Sequence, residues 1–134
     1  MQKVLITGGA GYIGSVLTAL LLDEGYEITV LDNLCFKQTS LLSLFGNCNF
    51  YFIKGDVCNS NLMKELLEKH NIIIPLAAIV GAPACDAHPS LAKAINYDAV
   101  EFIIQNTTDK HKILFPNTNS GYGIGVKESF CSET

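Results

Sequence analysis

The sequence predicts an α/β fold built on a doubly wound parallel sheet of five strands, and three observations carry that prediction. Short apolar runs alternate with longer stretches of helical period. The runs show no inside–outside alternation, as expected of strands covered on both faces. The first joint between a run and a helical stretch gathers four glycines (Gly8, Gly9, Gly11 and Gly14) into seven residues. Strand, helix, strand, helix in this order means parallel βαβ units joined by right-handed crossovers. A flavodoxin-like sheet shares the rhythm, so the loops must separate the two.

Lys3–Thr7 (KVLIT) reads as the first strand. A helix over 12–24 follows and places Ile13, Val16, Leu17, Leu20 and Leu21 on one face. Gly25 stands where a helix ends in a left-handed residue. Glu27–Leu31 is a second strand, and 32–49 is irregular with one helical turn near Leu41–Phe45. Phe50–Ile53 is a third strand. Asn59–His70 reads as an N-capped helix with Leu62, Met63, Leu66 and Leu67 inward. Asn71–Ile74, ended by Pro75, is a fourth strand. PLAAIVGAPACDAH (75–88) reads as loop, and a helix runs from Pro89 to about Gln105. Lys112–Phe115 is the fifth strand, ended by Pro116, and a glycine- and polar-rich stretch without periodicity follows.

The totals narrow the function classes. The 134 residues suit one compact domain. Half are hydrophobic and 16% charged, a globular composition rather than a disordered one. No apolar run reaches the ~18 residues of a membrane span, and no signal-peptide pattern is visible. A cytoplasmic location without membrane association is the expectation. Net charge is -4, with no basic stripe for nucleic acid. All nine basic residues are lysines, so any phosphate site must use backbone N–H groups, hydroxyls or lysine rather than a guanidinium fork. Five cysteines at irregular gaps read as reduced thiols. Cys85 and His88 make one C-x-x-H pair, short of the about four ligands of a zinc site, and no metal is expected.

The chemistry lies in the loops. Gly9, Gly11 and Gly14 form G-x-G-x-x-G between a strand and a helix. Such glycines permit a tight turn, close approach to a pyrophosphate and close helix–sheet packing. The helix N-terminus then offers open N–H groups and partial positive charge to an anion. No Gly-Lys-Ser/Thr follows, which excludes a P-loop. A bare structural turn is the competing reading. Asp32 ends the second strand eighteen positions after Gly14, where a carboxylate accepts from an adenosine ribose diol and repels a 2′-phosphate. This favours NAD over NADP; an ordinary loop aspartate is the alternative.

TGGAGYIG, then LDNL after strand two and GDV (55–57) after strand three, resemble the extended short-chain dehydrogenase/reductase family, in its NAD-dependent sugar-nucleotide epimerase/dehydratase branch. The likeness runs over the whole chain. It implies a Rossmann-type sheet in the order 3-2-1-4-5, with residues 1–134 the N-terminal part of an NAD-binding domain and a C-terminal substrate domain absent. It implies a cofactor site of Gly8, Gly11, Tyr12, Ile13, Gly14, Asp32 and Asn33, with Asp56 on the adenine amino group and Val57 beside the ring. Leu76, Ala77 and Ala78 after strand four would line the cofactor, although Pro75 stands where the family commonly has histidine. Asn96 would buttress the next strand and the cofactor pocket. Thr118 takes the place of the catalytic Ser or Thr, bonding a sugar hydroxyl or its ketone, while Asn117 and Asn119 depart from the family pattern. The substrate class implied is a nucleotide-linked sugar, with hydride removed at C4 to give a transient 4-keto sugar. The loop from Ile79 to Val100 is similar to bacterial enzymes that modify nucleotide-linked hexoses or heptoses for surface polysaccharides.

The family's base is a tyrosine in Y-x-x-x-K, and Tyr12, Tyr26, Tyr51, Tyr97 and Tyr122 all lack a lysine four positions on. Lys127 lies five after Tyr122. The expectation is an N-terminal piece that binds NAD weakly and does not turn over alone. The longer protein is expected to be a homodimer. Two alternatives stand beside it: a non-catalytic NAD(H)-sensing module, and a nucleotide-heptose or hexose 4-dehydrogenase within the same class.

Overall fold

The computed structural model describes residues 1–118. Five parallel strands lie in the order β3-β2-β1-β4-β5: β1 (Lys3–Thr7), β2 (Glu27–Asp32), β3 (Phe50–Lys54), β4 (Ile72–Pro75) and β5 (Lys112–Ile113). The expected strand order is the one found. β1, β2 and β3 carry long registers, Lys3–Thr7 against Glu27–Leu31 and Ile28–Asp32 against Phe50–Lys54. β5 pairs through two residues only, shorter than the expected 112–115, although the Leu114 N–H still donates to the Ile73 carbonyl.

Each sheet face has its own core. On one side α1 (Tyr12–Asp23) packs on Val4, Ile6, Ile28, Val30 and Ile74. On the other, α2 (Ser60–Lys69) and α5 (Ala99–Gln105) enclose Leu5, Leu31 and Ile73 with Met63, Leu66, Leu67 and Ile103. The alternate residues of β1 thus serve opposite cores, which is why its sequence is apolar without a break.

Helix α1 packs on a different face from the one the apolar spacing suggests. Gly14, Thr18 and Leu22 are buried, Leu17 and Leu21 flank them, and Ile13, Val16 and Leu20 are 57–60% exposed. Gly14 sets this rotation. A Cβ there would stand 2.5 Å from the Gly9 Cα, so only the glycine side of the helix can meet the preceding turn. The helix ends in a Schellman motif: Gly25 at φ +84° donates to Leu22 O, and Tyr26 N–H to Leu21 O.

Helix α2 begins as its sequence predicts, with the Asn59 side chain accepting from the Leu62 N–H at 3.2 Å. Two segments differ from expectation. Part of the 75–88 loop is helical, α3 (Ala82–Ala87), with Gly81 and Pro83 at its start. The helix from Pro89 to Gln105 is broken by one π turn, Ala94–Asp98, between α4 (Pro89–Lys93) and α5. A 3-10 turn, Leu42–Leu44, occupies the expected irregular stretch.

Candidate functional site

The site forms where β1, β2 and β4 end together, the crevice at which open α/β sheets bind ligands. The turn after β1 is tied on three sides. Gly8 N–H donates to Leu31 O at 2.8 Å, and Gly11 N–H to Gly8 O at 3.1 Å. Gly8 sits at φ +70°, and a Cβ there would meet the Ala77 backbone at 2.6 Å. Both its conformation and its contact with the β4 loop therefore demand glycine. The β4 loop is joined back to β1: Leu76 N–H donates to Thr7 O at 2.9 Å, and Ala77 N–H reaches Thr7 Oγ1 at 3.4 Å.

Asp32 is 7% exposed, yet each carboxylate oxygen has a donor. Oδ2 accepts from the Ala10 N–H at 3.0 Å, and Oδ1 from the Leu34 N–H at 2.8 Å. Asp32 is thus a clamp on the glycine turn as well as a ribose-facing candidate, since each oxygen keeps further acceptor capacity. The clamping role is invisible in the sequence, because it depends on where β2 ends relative to Ala10. Asn33 is exposed and accepts from the Cys35 N–H at 2.9 Å, continuing the turn.

The N-terminus of α1 is open. Gly11 is its cap residue, without a side-chain cap. The Ser15 N–H is satisfied by Gly11 O at 3.0 Å. The N–H groups of Tyr12, Ile13 and Gly14 have no acceptor among the described residues. Three successive open amides on a 12-residue helix, in a chain without arginine, fit a bound diphosphate in donor type and number. The Tyr12 and Ile13 side chains point to solvent, 92% and 60% exposed, so these residues bear on a ligand through backbone.

The remaining sequence-derived residues divide. Asp56 is exposed, and its Oδ1 accepts from the Cys58 N–H at 2.8 Å, closing a turn before α2. Val57 is half-buried against the α2-side core. Burial first, then the hydrogen bond and charge of Asp56, push the Cys58 thiol up, so it holds its proton more firmly than a free thiol does. Leu76 and Ala77 are half-buried and Ala78 is exposed at the crevice. Asn96 works indirectly. Its Oδ1 accepts from Ile79 N–H and its Nδ2 donates to Ile79 O, both at 2.8 Å. That spends its amide on the loop after β4, and the π turn is where this helix presents it. Thr118 is exposed, its N–H donating to Asn117 Oδ1 at 2.8 Å. The Tyr122–Lys127 stretch and Asn119 lie outside the described residues.

Sequence reasoning missed the segment 34–40. Leu34 and Lys37 hold positive φ, 55° and 54°. Gln38 Oε1 is buried without a partner among the described residues, and Ser40 Oγ donates to Ala10 O at 2.7 Å. Two left-handed non-glycine residues so close together are a strain signature that no composition reveals. No group of three or more potential metal ligands occurs among the described residues. No helix there is long and apolar enough to cross a membrane.

Comparison with known proteins agrees with this geometry. A UDP-N-acetyl-alpha-D-glucosaminuronate decarboxylase of Bacillus cytotoxicus is 33% identical over 126 residues, covering 93% of this chain and 39% of the relative. The structure of the UDP-Glc/GlcNAc 4-epimerase of Campylobacter jejuni superposes with a TM-score of 0.82 at 29% identity, over 98% of this chain and 43% of that one. The UDP-glucose 4-epimerase of Brucella ovis, solved in complex with NAD, gives a TM-score of 0.79 at 25% identity, over 96% and 39%. The chain therefore spans about two fifths of the length of these relatives. The sequence profile of one family, described as NAD dependent epimerase/dehydratase, matches residues 4–133, nearly the whole chain. With the glycine turn, the open amides and the buried carboxylate at the end of β2, that match identifies the chain as a member of the NAD dependent epimerase/dehydratase family.

Proposed function

We propose that this chain supplies the NAD-holding part of an enzyme that acts on a nucleotide-linked sugar. The observation that carries the reading is the set of open amides at Tyr12, Ile13 and Gly14 beside the buried Asp32. The amides would take the pyrophosphate, Asp32 the adenine-side ribose, Asp56 and Val57 the adenine, and the Leu76–Ala78 loop the nicotinamide side. NAD, when bound, supplies a hydride acceptor and donor.

The role proposed for the chain's own residues is to bind and orient. Thr118 would hold a substrate hydroxyl by hydrogen bond, easing loss of its proton as the adjacent carbon is oxidised. The reaction proposed is reversible oxidation at a sugar carbon, C4 by preference, through a 4-keto sugar. Epimerisation, dehydration or net oxidation would follow according to residues outside this chain. The relatives named above, two 4-epimerases and a decarboxylase of UDP-linked sugars, support that substrate class. The general base is proposed to lie outside the 134 residues, because no tyrosine in them has a lysine four positions on. The full protein is proposed to be a homodimer that works in the cytoplasm.

The test is a paired assay on the 134-residue chain: NAD binding by calorimetry, and conversion of UDP-glucose at saturating NAD. Binding without turnover is the expected outcome. Robust turnover would show that the base is present after all, and failure to bind NAD would remove the reading.

A further inference from the structure

We propose that Ser40 is a positioning residue for the dinucleotide site, holding the glycine turn in the form that leaves the Gly14 amide open; the proposal rests on the NAD reading above. Ala10 is 3% exposed, and both polar groups of its backbone are bound by the end of β2 and the segment that follows it. Its N–H donates to Asp32 Oδ2 at 3.0 Å, and its carbonyl accepts from Ser40 Oγ at 2.7 Å across 30 positions of sequence. In a helix extended one residue further back, the Ala10 carbonyl would be the i−4 acceptor of the Gly14 N–H. That bond would withdraw one of the three amides from an incoming anion. In this structure α1 starts at Tyr12, Gly11 O accepts from Ser15 N–H, and the Ala10 carbonyl is turned to Ser40 instead.

Ser40 can do this because its own place is fixed from both sides. Leu41, the next residue, is 4% exposed in the α1-side core. Upstream, the chain from Asp32 to Ser40 passes through left-handed backbone at Leu34 and Lys37. Such conformations persist only where the surroundings over-determine them. The two ends of that strained segment are the two groups that grip Ala10.

Two variants of the full chain, Ser40→Ala and Ser40→Thr, test the proposal with two probes, ADP and adenosine. Ser40→Ala is expected to weaken ADP and NAD about fivefold, the worth of roughly one hydrogen bond, and to leave adenosine within about twofold. Ser40→Thr, which keeps the hydroxyl, is expected to restore ADP affinity. In the ligand-free protein, amide hydrogen exchange at Gly14 is expected to slow in Ser40→Ala as its N–H turns to the Ala10 carbonyl. Equal losses for ADP and adenosine, no loss for either, or unchanged Gly14 exchange would each overturn the positioning role while leaving the NAD reading intact. A wild-type chain that binds neither NAD nor ADP would overturn the NAD reading, and this proposal with it.

Discussion

At the glycine turn the backbone is bonded to β2 and to the segment after it and packs on the loop after β4, whereas residues 112–118 at the far edge of the same sheet are exposed throughout. The two regions are the two ends of one candidate site. The first is fixed by close contact: Gly14 on Gly9, Gly8 on Ala77, Ala10 between Asp32 and Ser40. The second hangs on a two-residue strand. The difference teaches that the end proposed to hold the cofactor is formed within the described residues. The end assigned to substrate chemistry draws little of its structure from the described residues.

The contrast breaks if substitutions at the two ends cost alike. The largest loss is expected for Gly14→Ala, whose Cβ would lie 2.5 Å from backbone that cannot move aside. About 3 kcal/mol should disappear from the unfolding free energy in a urea titration. Gly25→Ala is the internal control, because its φ is +84° but nothing lies within 4 Å of a Cβ there. It should lose about 1 kcal/mol, from backbone strain alone. Equal losses for the two would mean that α1 does not press on the turn.

Asp32→Asn comes next. An amide has one oxygen, so one of the two N–H groups at Ala10 and Leu34 is left unpaired. The expected loss is about 1–3 kcal/mol, together with weaker NAD binding. A variant as stable as the parent would show that Asp32 does not clamp the turn.

His70 sharpens the comparison through pH. It is 7% exposed; Nδ1–H donates to Leu66 O at 2.6 Å, and Nε2 accepts from Thr29 Oγ1 at 2.8 Å. Burial lowers its pKa; the Leu66 carbonyl and Glu27 oppose this, and Lys3 and Lys69 add to it. The unfolded chain therefore takes up this proton more readily than the folded one. The stabilisation is fully present above the unfolded histidine value of about 6.5 and is lost as pH falls toward the lower folded value. Melting temperature should fall between about pH 7 and 5, and less steeply in His70→Gln. An equal slope in both proteins would assign the pH dependence to other groups.

The smallest effect is expected at the open end. Phe115 is 53% exposed, and Phe115→Ser should change stability by no more than about 0.5 kcal/mol. A loss comparable to that of Gly14→Ala would mean that the edge of the sheet is as firmly held as its centre.

What was legible in the sequence follows the same division. Gly8, Gly14 and Gly25 could be read because the backbone itself demands glycine there, and that demand has no other residue to express it. A parallel sheet followed from the alternation of elements and crossover handedness, whereas its strand order came only with the family resemblance of the loops. The rotation of α1 was not legible. It carries apolar residues on two flanks, and only the Gly9–Gly14 contact decides between them. Helix α3 hid behind Gly81 and Pro83, which read as loop but serve as a helix start. The π turn at Asn96 has no periodic signature in five residues. The grip of Ser40 on Ala10 is a tertiary fact, set by how the segment after β2 folds back, and serine at that position announces nothing.

The central claim is that this chain holds a dinucleotide through open backbone amides and a buried Asp32, with no arginine to hold an extra phosphate. Affinities of the 134-residue chain for NAD and NADP, measured side by side by calorimetry, test it most directly. The account predicts that NAD binds and that NADP binds at least about tenfold more weakly, a difference of about 1.4 kcal/mol. NADP binding as tightly as NAD, or no binding of either, would contradict it.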